Sequence, residues 1–195
     1  MFVKVCGIKK IEEIEWAIEL GFTAIGLVVY EKSKRFVDFY NSIKMFNFAK
    51  GKILTVAVSL YCKDVIKFKN YADFLQVYEK CNCKNLIFAT ENRPLDNNWK
   101  YLLYDKSKGD GIFREFPSWI LNYRDRLIIA GGLNPDNVKK VIQKIKPFGV
   151  DVSSGVEIDG TKDFNLMKKF IKSVKRGEEW EDFMGNLVDN LLLKH

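Results

Sequence analysis

The segment that most constrains the fold is residues 127–157, which has the pattern strand, glycine turn, helix, strand, small-residue turn. Residues 127–130 form a short apolar run, typical of a strand that is buried on both faces. Gly131 and Gly132 then allow a sharp turn and a close approach of the backbone to a ligand. Barrels of eight β/α units hold a phosphate in the turns after strands seven and eight, so this segment predicts such a site. Two ordinary tight turns in an α/β protein would give the same pattern.

The helix and the second turn of this segment are also well marked. Asn134 is a candidate N-cap, and Pro135 suits the first helical position. The apolar residues that follow at helical spacing predict one buried stripe: Val138, Val141, Ile142 and Ile145. Residues 150–152 form the next strand, and they end in the turn Ser153-Ser154-Gly155.

Apolar runs recur along the whole chain and alternate with helical patterns wherever the spacing leaves room. They predict eight strands: residues 3–6, 24–29, 53–58, 74–77, 85–89, 101–104, 127–130 and 150–152. This alternation predicts a parallel sheet, and eight units predict a (β/α)8 TIM barrel as a single domain over residues 1–175. A doubly wound open sheet is the structural alternative, but its glycine signature after the first strand is absent.

Two features depart from a regular barrel. The connections at residues 79–84 and 90–100 are shorter than the dozen or so residues of a parallel crossover, so helices 4 and 5 are expected to be reduced. Residues 176–195 have apolar side chains at helical spacing, which predicts an extra C-terminal amphipathic helix. We expect this helix to pack on the barrel or to form a dimer contact, in a monomer or a homodimer.

Composition indicates a soluble globular protein, since 47% of the 195 residues are hydrophobic and 29% are charged. No apolar run is long enough for a membrane span, and Met1 leads directly into a strand, so we expect no targeting segment and a cytoplasmic location. The net charge of +7 suits an anionic ligand and could also suit nucleic acid. Because the lysines are scattered over predicted helix faces, we expect no nucleic-acid partner. Because the apolar runs are too short to span a bilayer, we also expect no membrane partner.

Histidine and cysteine usage limits the chemistry. The one histidine is His195, so histidine triads and histidine-ligated metals are excluded in practice, and acid–base chemistry must use Asp, Glu, Cys, Lys or Tyr. The four cysteines, Cys6, Cys62, Cys81 and Cys83, have no zinc-site spacing. Cys81 and Cys83 could in principle bridge or bind a metal, but two thiols without a histidine are a poor site, and we expect no metal.

Reactive groups in a barrel lie at the carboxyl ends of its strands. That rule selects Cys6 after strand one, Arg35 after strand two and Asp105 after strand six, beside the two small-residue turns. Each residue has an ordinary alternative: an inert buried thiol, a surface cation and a helix cap. Together they would place a thiol, a cation and a carboxyl group around one phosphate site.

Several motifs resemble those of the phosphoribosylanthranilate isomerases. The matching segments are residues 4–8 (KVCGI), 32–37 (KSKRFV), 102–105 (LLYD), 130–138 (AGGLNPDNV) and 150–157 (VDVSSGVE), and the match runs in order from residue 3 to about residue 173. The resemblance implies a (β/α)8 barrel and a step of tryptophan biosynthesis. That step is the Amadori rearrangement of N-(5-phosphoribosyl)anthranilate to 1-(o-carboxyphenylamino)-1-deoxyribulose 5-phosphate, with a small phosphoribosyl substrate and no cofactor.

The resemblance also implies roles for single residues. Asp105 would be the general acid and Cys6 the general base, which requires nearby positive charge to favour the thiolate and a partly apolar site to keep the carboxyl proton. Arg35 would bind the anthranilate carboxylate, and Asp151 would contact the substrate amine or orient a neighbour. The residues expected at the phosphate are Gly109, Gly111, Gly131, Gly132, Ser153, Ser154 and Gly155.

The chain departs from the family pattern in its middle. Where the family has Gln-Leu-His-Gly at strand four, this chain has Gln76-Val77-Tyr78-Glu79. The glycine-rich loop after the acid is reduced to Gly109-Asp110-Gly111, which brings a negative charge towards the phosphate. The segment between strands four and six is also short, which leaves closure of the barrel to be tested.

Two other functions remain open from the sequence. One is a related barrel isomerase that acts on another phosphoribosyl amine; such enzymes commonly use two aspartates, so Cys6 argues against it. The other is a non-catalytic barrel that binds an anion or a nucleic acid, which the charge of +7 and the shortened middle would suit.

Overall fold

The computed structural model describes residues 1–105 and 116–192, with side chains described as far as residue 178. Eight parallel strands close into a barrel in chain order. They are β1 Phe2–Cys6, β2 Ala24–Val28, β3 Leu54–Val58, β4 Phe74–Val77, β5 Leu86–Thr90, β6 Tyr101–Tyr104, β7 Leu127–Ile129 and β8 Gly149–Val152. The last strand pairs with the first, with Lys4 opposite Asp151. The predicted barrel is therefore confirmed, and it closes despite its short middle; the open-sheet alternative is wrong.

Helices surround most of the barrel. They are α1 Ile11–Leu20, α2 Phe39–Ala49, α3 Cys62–Val65, α4 Val138–Ile145 and α5 Phe164–Leu192, with 3₁₀ helices at Ile66–Phe68, Ser118–Arg126 and Ser154–Val156. A two-stranded antiparallel hairpin, β9 Glu157–Ile158 and β10 Thr161–Lys162, follows β8. The N-cap of α2 is Asp38, whose carboxylate accepts from the Asn41 backbone N–H.

Alternation along the strands divides the core into two layers. In β1, Val3 and Val5 belong to the layer between the sheet and the helices, whereas Phe2 and Cys6 belong to the cluster inside the barrel. Lys4 alternates with Val3 and Val5, so its side chain is on the same face as Phe2 and Cys6, and it is fully buried inside the barrel. Both faces of the strands are therefore buried, as their continuous apolar runs predict.

Aromatic side chains fill the amino-terminal end of the barrel. Tyr101 and Phe148 stack with ring centroids 4.6 Å apart, and Phe2 lies 5.7 Å from Phe148. Phe74 packs 5.6 Å from Tyr101. All four precede or begin a strand, so they close one end and leave the carboxyl ends of the strands as the route into the interior.

The connections from β4 to β5 and from β5 to β6 contain no helix, as their lengths predicted. Trp99 covers part of the sheet there and is 7% exposed. Its indole N–H donates to the Asp96 carbonyl oxygen at 2.8 Å, and the Arg126 guanidinium lies 4.1 Å from its ring centroid. A side chain and loop backbone thus replace helix packing on this side of the barrel.

A disulfide also holds this side together. Cys62, at the start of α3, is bonded to Cys81 in the β4–β5 connection, with Cα atoms 5.5 Å apart. Cys83 is free, and its sulfur lies 3.7 Å from that of Cys81. Cys81 therefore pairs with Cys62 and not with Cys83, a pairing that the sequence analysis did not predict.

The final helix is longer than expected. The helical patterns before and after residue 175 belong to one continuous helix, α5, which packs against α4 and α1. Its first part buries Met167, Phe170 and Val174. Whether residues 176–195 form a dimer contact stays a prediction. Among the described residues, no helix combines the length and the apolar character needed to cross a membrane.

The disulfide generates a prediction about thiol content and stability. Protein purified without reductant is expected to show two reactive thiols when denatured, from Cys6 and Cys83, and four after reduction. Cys62→Ser should lower the free energy of unfolding by about 3 kcal/mol, because the cross-link no longer restricts the unfolded chain. Urea denaturation measures this, with Cys83→Ser as the matched control. Four thiols in the unreduced protein would contradict the pairing.

Candidate active site

A cavity of about 290 Å³ lies at the carboxyl ends of the strands, at the open end of the barrel. The predicted site residues that line it are Cys6, Arg35, Asp105, Gly131, Gly132, Asp151, Ser153 and Ser154. The structure therefore brings together residues that are as much as 148 positions apart in the chain. Gly109 and Gly111 lie outside the described residues. Gly155 is described, but it does not line the cavity.

Cys6 is the last residue of β1 and is buried. Gly7 turns the chain after it with a φ of +81°, and Gly26 lies opposite it on β2. A Cβ atom on Gly26 would lie 3.0 Å from the Cys6 sulfur, so glycine makes room for the thiol. Burial raises the pKa of Cys6, while Lys4 and Lys162 act to lower it. The expected positive charge is present on Lys4 and Lys162, but the effect of burial on the pKa of Cys6 is larger than theirs. The thiol is therefore protonated in the free protein.

An ion pair inside the barrel lies next to this thiol. Lys4 Nζ is 2.9 Å from Asp151 Oδ2, and both residues are buried. Burial disfavours the charge of Lys4, but Asp151 and Cys6 together outweigh burial and raise the pKa of Lys4. Burial also raises the pKa of Asp151, an effect that Lys4 opposes. The other oxygen, Asp151 Oδ1, is buried without a hydrogen-bond partner among the described residues.

Gln76, the third residue of β4, has a second orphaned acceptor in the cavity wall. It is 2% exposed, and its Oε1 has no hydrogen-bond partner in the described part of the chain. An unsatisfied buried oxygen costs free energy unless a ligand or water supplies a donor. Gln76 Oε1 and Asp151 Oδ1 therefore mark two positions where a ligand with N–H or O–H groups gains binding energy.

Arg35 lines another wall of the cavity, and a chain of charges lies behind it. Arg35 binds Glu157 through two parallel hydrogen bonds of 2.7 Å, and Lys162 Nζ lies 2.5 Å from Glu157 Oε1. Burial alone would raise the pKa of Glu157, but the two cations outweigh it and lower the pKa to about 2. Burial lowers the pKa of Lys162. Two cations against one carboxylate leave this wall positive, as an anion site requires.

The two small-residue turns lie beside that wall. Gly131 and Gly132 have φ values of +82° and +66°, in the left-handed region that glycine favours. The Ser153 hydroxyl donates to the Cys6 carbonyl oxygen at 3.0 Å, which ties the turn after β8 to the turn after β1. A Cβ atom on Gly155 would lie 1.9 Å from the Leu133 carbonyl oxygen. Glycine at 155 is therefore required for packing the two turns together.

Asp105 follows β6 and is buried across the cavity. Its Oδ2 accepts a hydrogen bond of 2.8 Å from the Tyr78 hydroxyl. Burial, followed by the charge of Asp105, raises the pKa of Tyr78 well above its usual value of 10.0, so the hydroxyl keeps its proton. The carboxyl group is thus held in place by a neutral donor.

Sequence reasoning missed five residues that shape the site: Lys4, Gln76, Tyr78, Glu157 and Lys162. Strand alternation was a usable signal for two of them, because Lys4 is two residues before Cys6 and Gln76 is buried on β4. Glu157 and Lys162 meet only through the hairpin of β9 and β10, whose strands have two residues each and leave no periodic pattern.

The charged wall generates a prediction about pH. Because the pKa of Glu157 is lowered from 4.5 to about 2, its carboxylate stabilises the fold above pH 4.5, and this contribution is lost as the pH falls towards 2. Glu157→Gln should cost about 3 kcal/mol near pH 7, and the difference from wild type should shrink below pH 4.5. Urea denaturation at several pH values measures it, with the exposed Glu31→Gln as control. A difference that is constant with pH would contradict the assignment.

Comparisons with known proteins agree with this geometry. The family model of N-(5'phosphoribosyl)anthranilate isomerase matches residues 97–173. The N-(5'-phosphoribosyl)anthranilate isomerase of Methanococcus aeolicus is 31% identical over 211 residues, covering 92% of this chain and 100% of that protein.

Two solved structures are also similar. The phosphoribosyl anthranilate isomerase of Thermotoga maritima superimposes with a TM-score of 0.74 at 30% identity, covering 90% of this chain and 98% of that one. A second structure of a phosphoribosyl anthranilate isomerase, with a TM-score of 0.70, 30% identity and the same coverage, is in complex with reduced 1-(o-carboxyphenylamino)-1-deoxyribulose 5-phosphate. With a relative above 30% identity matched over its whole length, and with its barrel and site geometry, the chain belongs to the N-(5'-phosphoribosyl)anthranilate isomerase family.

Proposed function

We propose that this protein isomerises N-(5'-phosphoribosyl)anthranilate to 1-(o-carboxyphenylamino)-1-deoxyribulose 5-phosphate. The observation that carries the proposal is one cavity that contains a thiol, Cys6, and a carboxyl group, Asp105, beside the turns after β7 and β8. An Amadori rearrangement needs one acid and one base, placed so that both reach one sugar. Membership of the family supports the same reaction.

In the proposed first step, Asp105 acts as the general acid. It donates its proton to the ribose ring oxygen as the C1–O bond breaks, which leaves an open chain with a protonated C1=N bond. The carboxylate that remains accepts the hydrogen bond from Tyr78, and hydrogen bonds to a charged acceptor are the stronger kind.

In the second step, Cys6 acts as the general base. It removes the C2 proton, the electron pair forms a C1=C2 enolamine, and tautomerisation gives the ketone at C2. The thiol must first lose its proton, which burial opposes and Lys4 and Lys162 favour. The positive charge on the C1=N bond adds to those cations, so the substrate itself helps to form the thiolate.

Arg35 is the proposed partner of the anthranilate carboxylate. Two of the five donors of its guanidinium bind Glu157, and the side chain also faces the cavity. The remaining donors suit a planar carboxylate. Gly7 makes this position accessible, because a Cβ atom there would lie 2.3 Å from the Arg35 side chain.

Other parts of the substrate match the remaining cavity walls. The proposed phosphate site is the turn at Gly131 and Gly132 with Ser153 and Ser154, close to the positive wall. Asp151 Oδ1 and Gln76 Oε1 would accept from the substrate amine and the sugar hydroxyls. We retain Gly155, which also packs these turns together, as a proposed phosphate contact, with Gly109 and Gly111 as further phosphate contacts.

The proposed mechanism moves only protons, so the chain supplies the acid and the base, and we propose no metal or redox cofactor. The partner is a small phosphoribosyl substrate. We keep the cytoplasm as the proposed location on the basis of composition.

The acid and base roles are tested by substitution. Cys6→Ala and Asp105→Ala are each expected to lower kcat by at least about a hundredfold, since each removes a proton-transfer group. The decay of substrate fluorescence on mixing with purified protein measures the rate. Cys83→Ala and Asp125→Asn, at a cysteine and an aspartate outside the cavity, serve as matched controls. Near-normal turnover by Cys6→Ala would overturn the base assignment.

The role of Arg35 is tested by a change in KM. Arg35→Ala should raise KM by about tenfold or more, because a hydrogen-bonded charge contact with the substrate is lost. The KM of Arg35→Lys should lie between those of the wild type and Arg35→Ala, since lysine keeps the positive charge but cannot form two parallel hydrogen bonds to a carboxylate. Steady-state kinetics with both variants measure the effect, and an unchanged KM for Arg35→Ala would place the anthranilate carboxylate elsewhere.

A further inference from the structure

Tyr78 lines the cavity and donates a hydrogen bond to Asp105. Its hydroxyl is 2.8 Å from Asp105 Oδ2, and both residues line the cavity. We propose that Tyr78 is a positioning residue for the acid step: its hydroxyl holds Asp105 Oδ2, so that the acid presents its proton from Oδ1. The inference rests on the proposed function, because it assigns a role within that reaction.

The local structure fixes the tyrosine without a helix behind it. Tyr78 directly follows β4, and its backbone N–H donates to the Leu60 carbonyl oxygen at 3.3 Å. Three residues further on, Cys81 is bonded to Cys62, and the Cys62 backbone N–H donates to Glu79 Oε1 at 2.6 Å. The turn that carries Tyr78 is therefore tied to the turn after β3 by a covalent bond and two hydrogen bonds.

Hydrogen bonding to one oxygen of a carboxyl group distinguishes the two oxygens. The oxygen that accepts from the tyrosine hydroxyl is favoured as the carbonyl oxygen, so the proton of the neutral acid resides on the other. After the proton has moved to the sugar, the same hydrogen bond stabilises the new carboxylate, and it is stronger then because its acceptor is charged. Tyr78 therefore helps more after proton transfer than before it, which lowers the barrier and raises kcat.

The hydroxyl remains a donor over the pH range in which the acid works. Burial and the nearby Asp105 raise the pKa of Tyr78 well above 10.0. A phenol that holds its proton so firmly is a poor proton source for the sugar, so the tyrosine acts through Asp105 and not on the substrate ring oxygen directly.

Tyr78→Phe tests this role, because it keeps the ring and removes the hydroxyl. We expect kcat to fall by about tenfold or more and KM to stay within about threefold, since the lost interaction is stronger in the transition state than in the bound substrate. Tyr104→Phe is the matched control: it removes a hydroxyl next to Asp105 in the chain, and its ring packs against Trp119 in the helix layer. It should leave kcat unchanged.

A double-mutant cycle separates positioning from a structural role. In an Asp105→Asn background, Tyr78→Phe should change kcat by less than about twofold, because the group through which it acts is gone. Binding of reduced 1-(o-carboxyphenylamino)-1-deoxyribulose 5-phosphate and the thermal unfolding midpoint show whether the variant keeps its site. If Tyr78→Phe does not fold, Tyr78→His, which keeps a ring N–H donor, replaces it and should retain more than a tenth of wild-type kcat.

The outcomes distinguish the two proposals. If the wild-type protein turns over the substrate and Tyr78→Phe matches it, or if Tyr78→Phe is equally damaging in both backgrounds, the role of Tyr78 is overturned while the proposed function stands. The role of Tyr78 is also overturned if Tyr78→His loses as much kcat as Asp105→Asn does. No turnover by the wild-type protein would overturn the proposed function, and the inference with it.

Discussion

The site depends on an ion pair inside the barrel, where the first strand meets the last. Lys4 and Asp151 face each other across β1 and β8, with their charged atoms 2.9 Å apart. Removing two charges from water is costly, and a buried pair recovers that cost only with close geometry, so loss of either partner would leave an uncompensated charge. Gly26 makes the arrangement possible, because a Cβ atom there would lie 3.0 Å from both the Lys4 side chain and the Cys6 sulfur.

Cys6 and Asp105, the proposed base and acid, have different surroundings in the cavity. The Cys6 thiol has Lys4 and Lys162 near it, which favour the thiolate, whereas burial favours the neutral thiol. Asp105 accepts a hydrogen bond from a neutral phenol, that of Tyr78. The proposed mechanism needs such a difference, because its base must acquire a negative charge when substrate arrives and its acid must lose a proton to the sugar. In the shortened middle of the barrel, the Cys62–Cys81 bond and two hydrogen bonds tie the turn that carries Tyr78 to the turn after β3.

Much of this architecture could be predicted from the sequence, because periodic patterns carry it. The apolar runs placed all eight strands, and the strand-end rule placed Cys6, Arg35 and Asp105 at one cavity. The short connections predicted reduced helices after β4 and β5, and the structure has no helix in either connection. Contacts between distant segments leave no such pattern: Cys62 and Cys81 lack a recognisable spacing, and the ion pairs of Glu157 form through a hairpin. The packing role of Gly155 against Leu133 likewise leaves no pattern, since a glycine required for packing and one required for a ligand look the same in sequence.

The central claim is that the barrel opening carries out an acid–base isomerisation with Cys6 and Asp105. It is tested most directly by separating and identifying the product after N-(5'-phosphoribosyl)anthranilate is mixed with purified protein. Wild-type protein is expected to form 1-(o-carboxyphenylamino)-1-deoxyribulose 5-phosphate at a rate proportional to enzyme concentration, and a Cys6→Ala, Asp105→Ala double variant of unchanged fold should form it no faster than a blank. Equal rates for the two proteins would contradict the account.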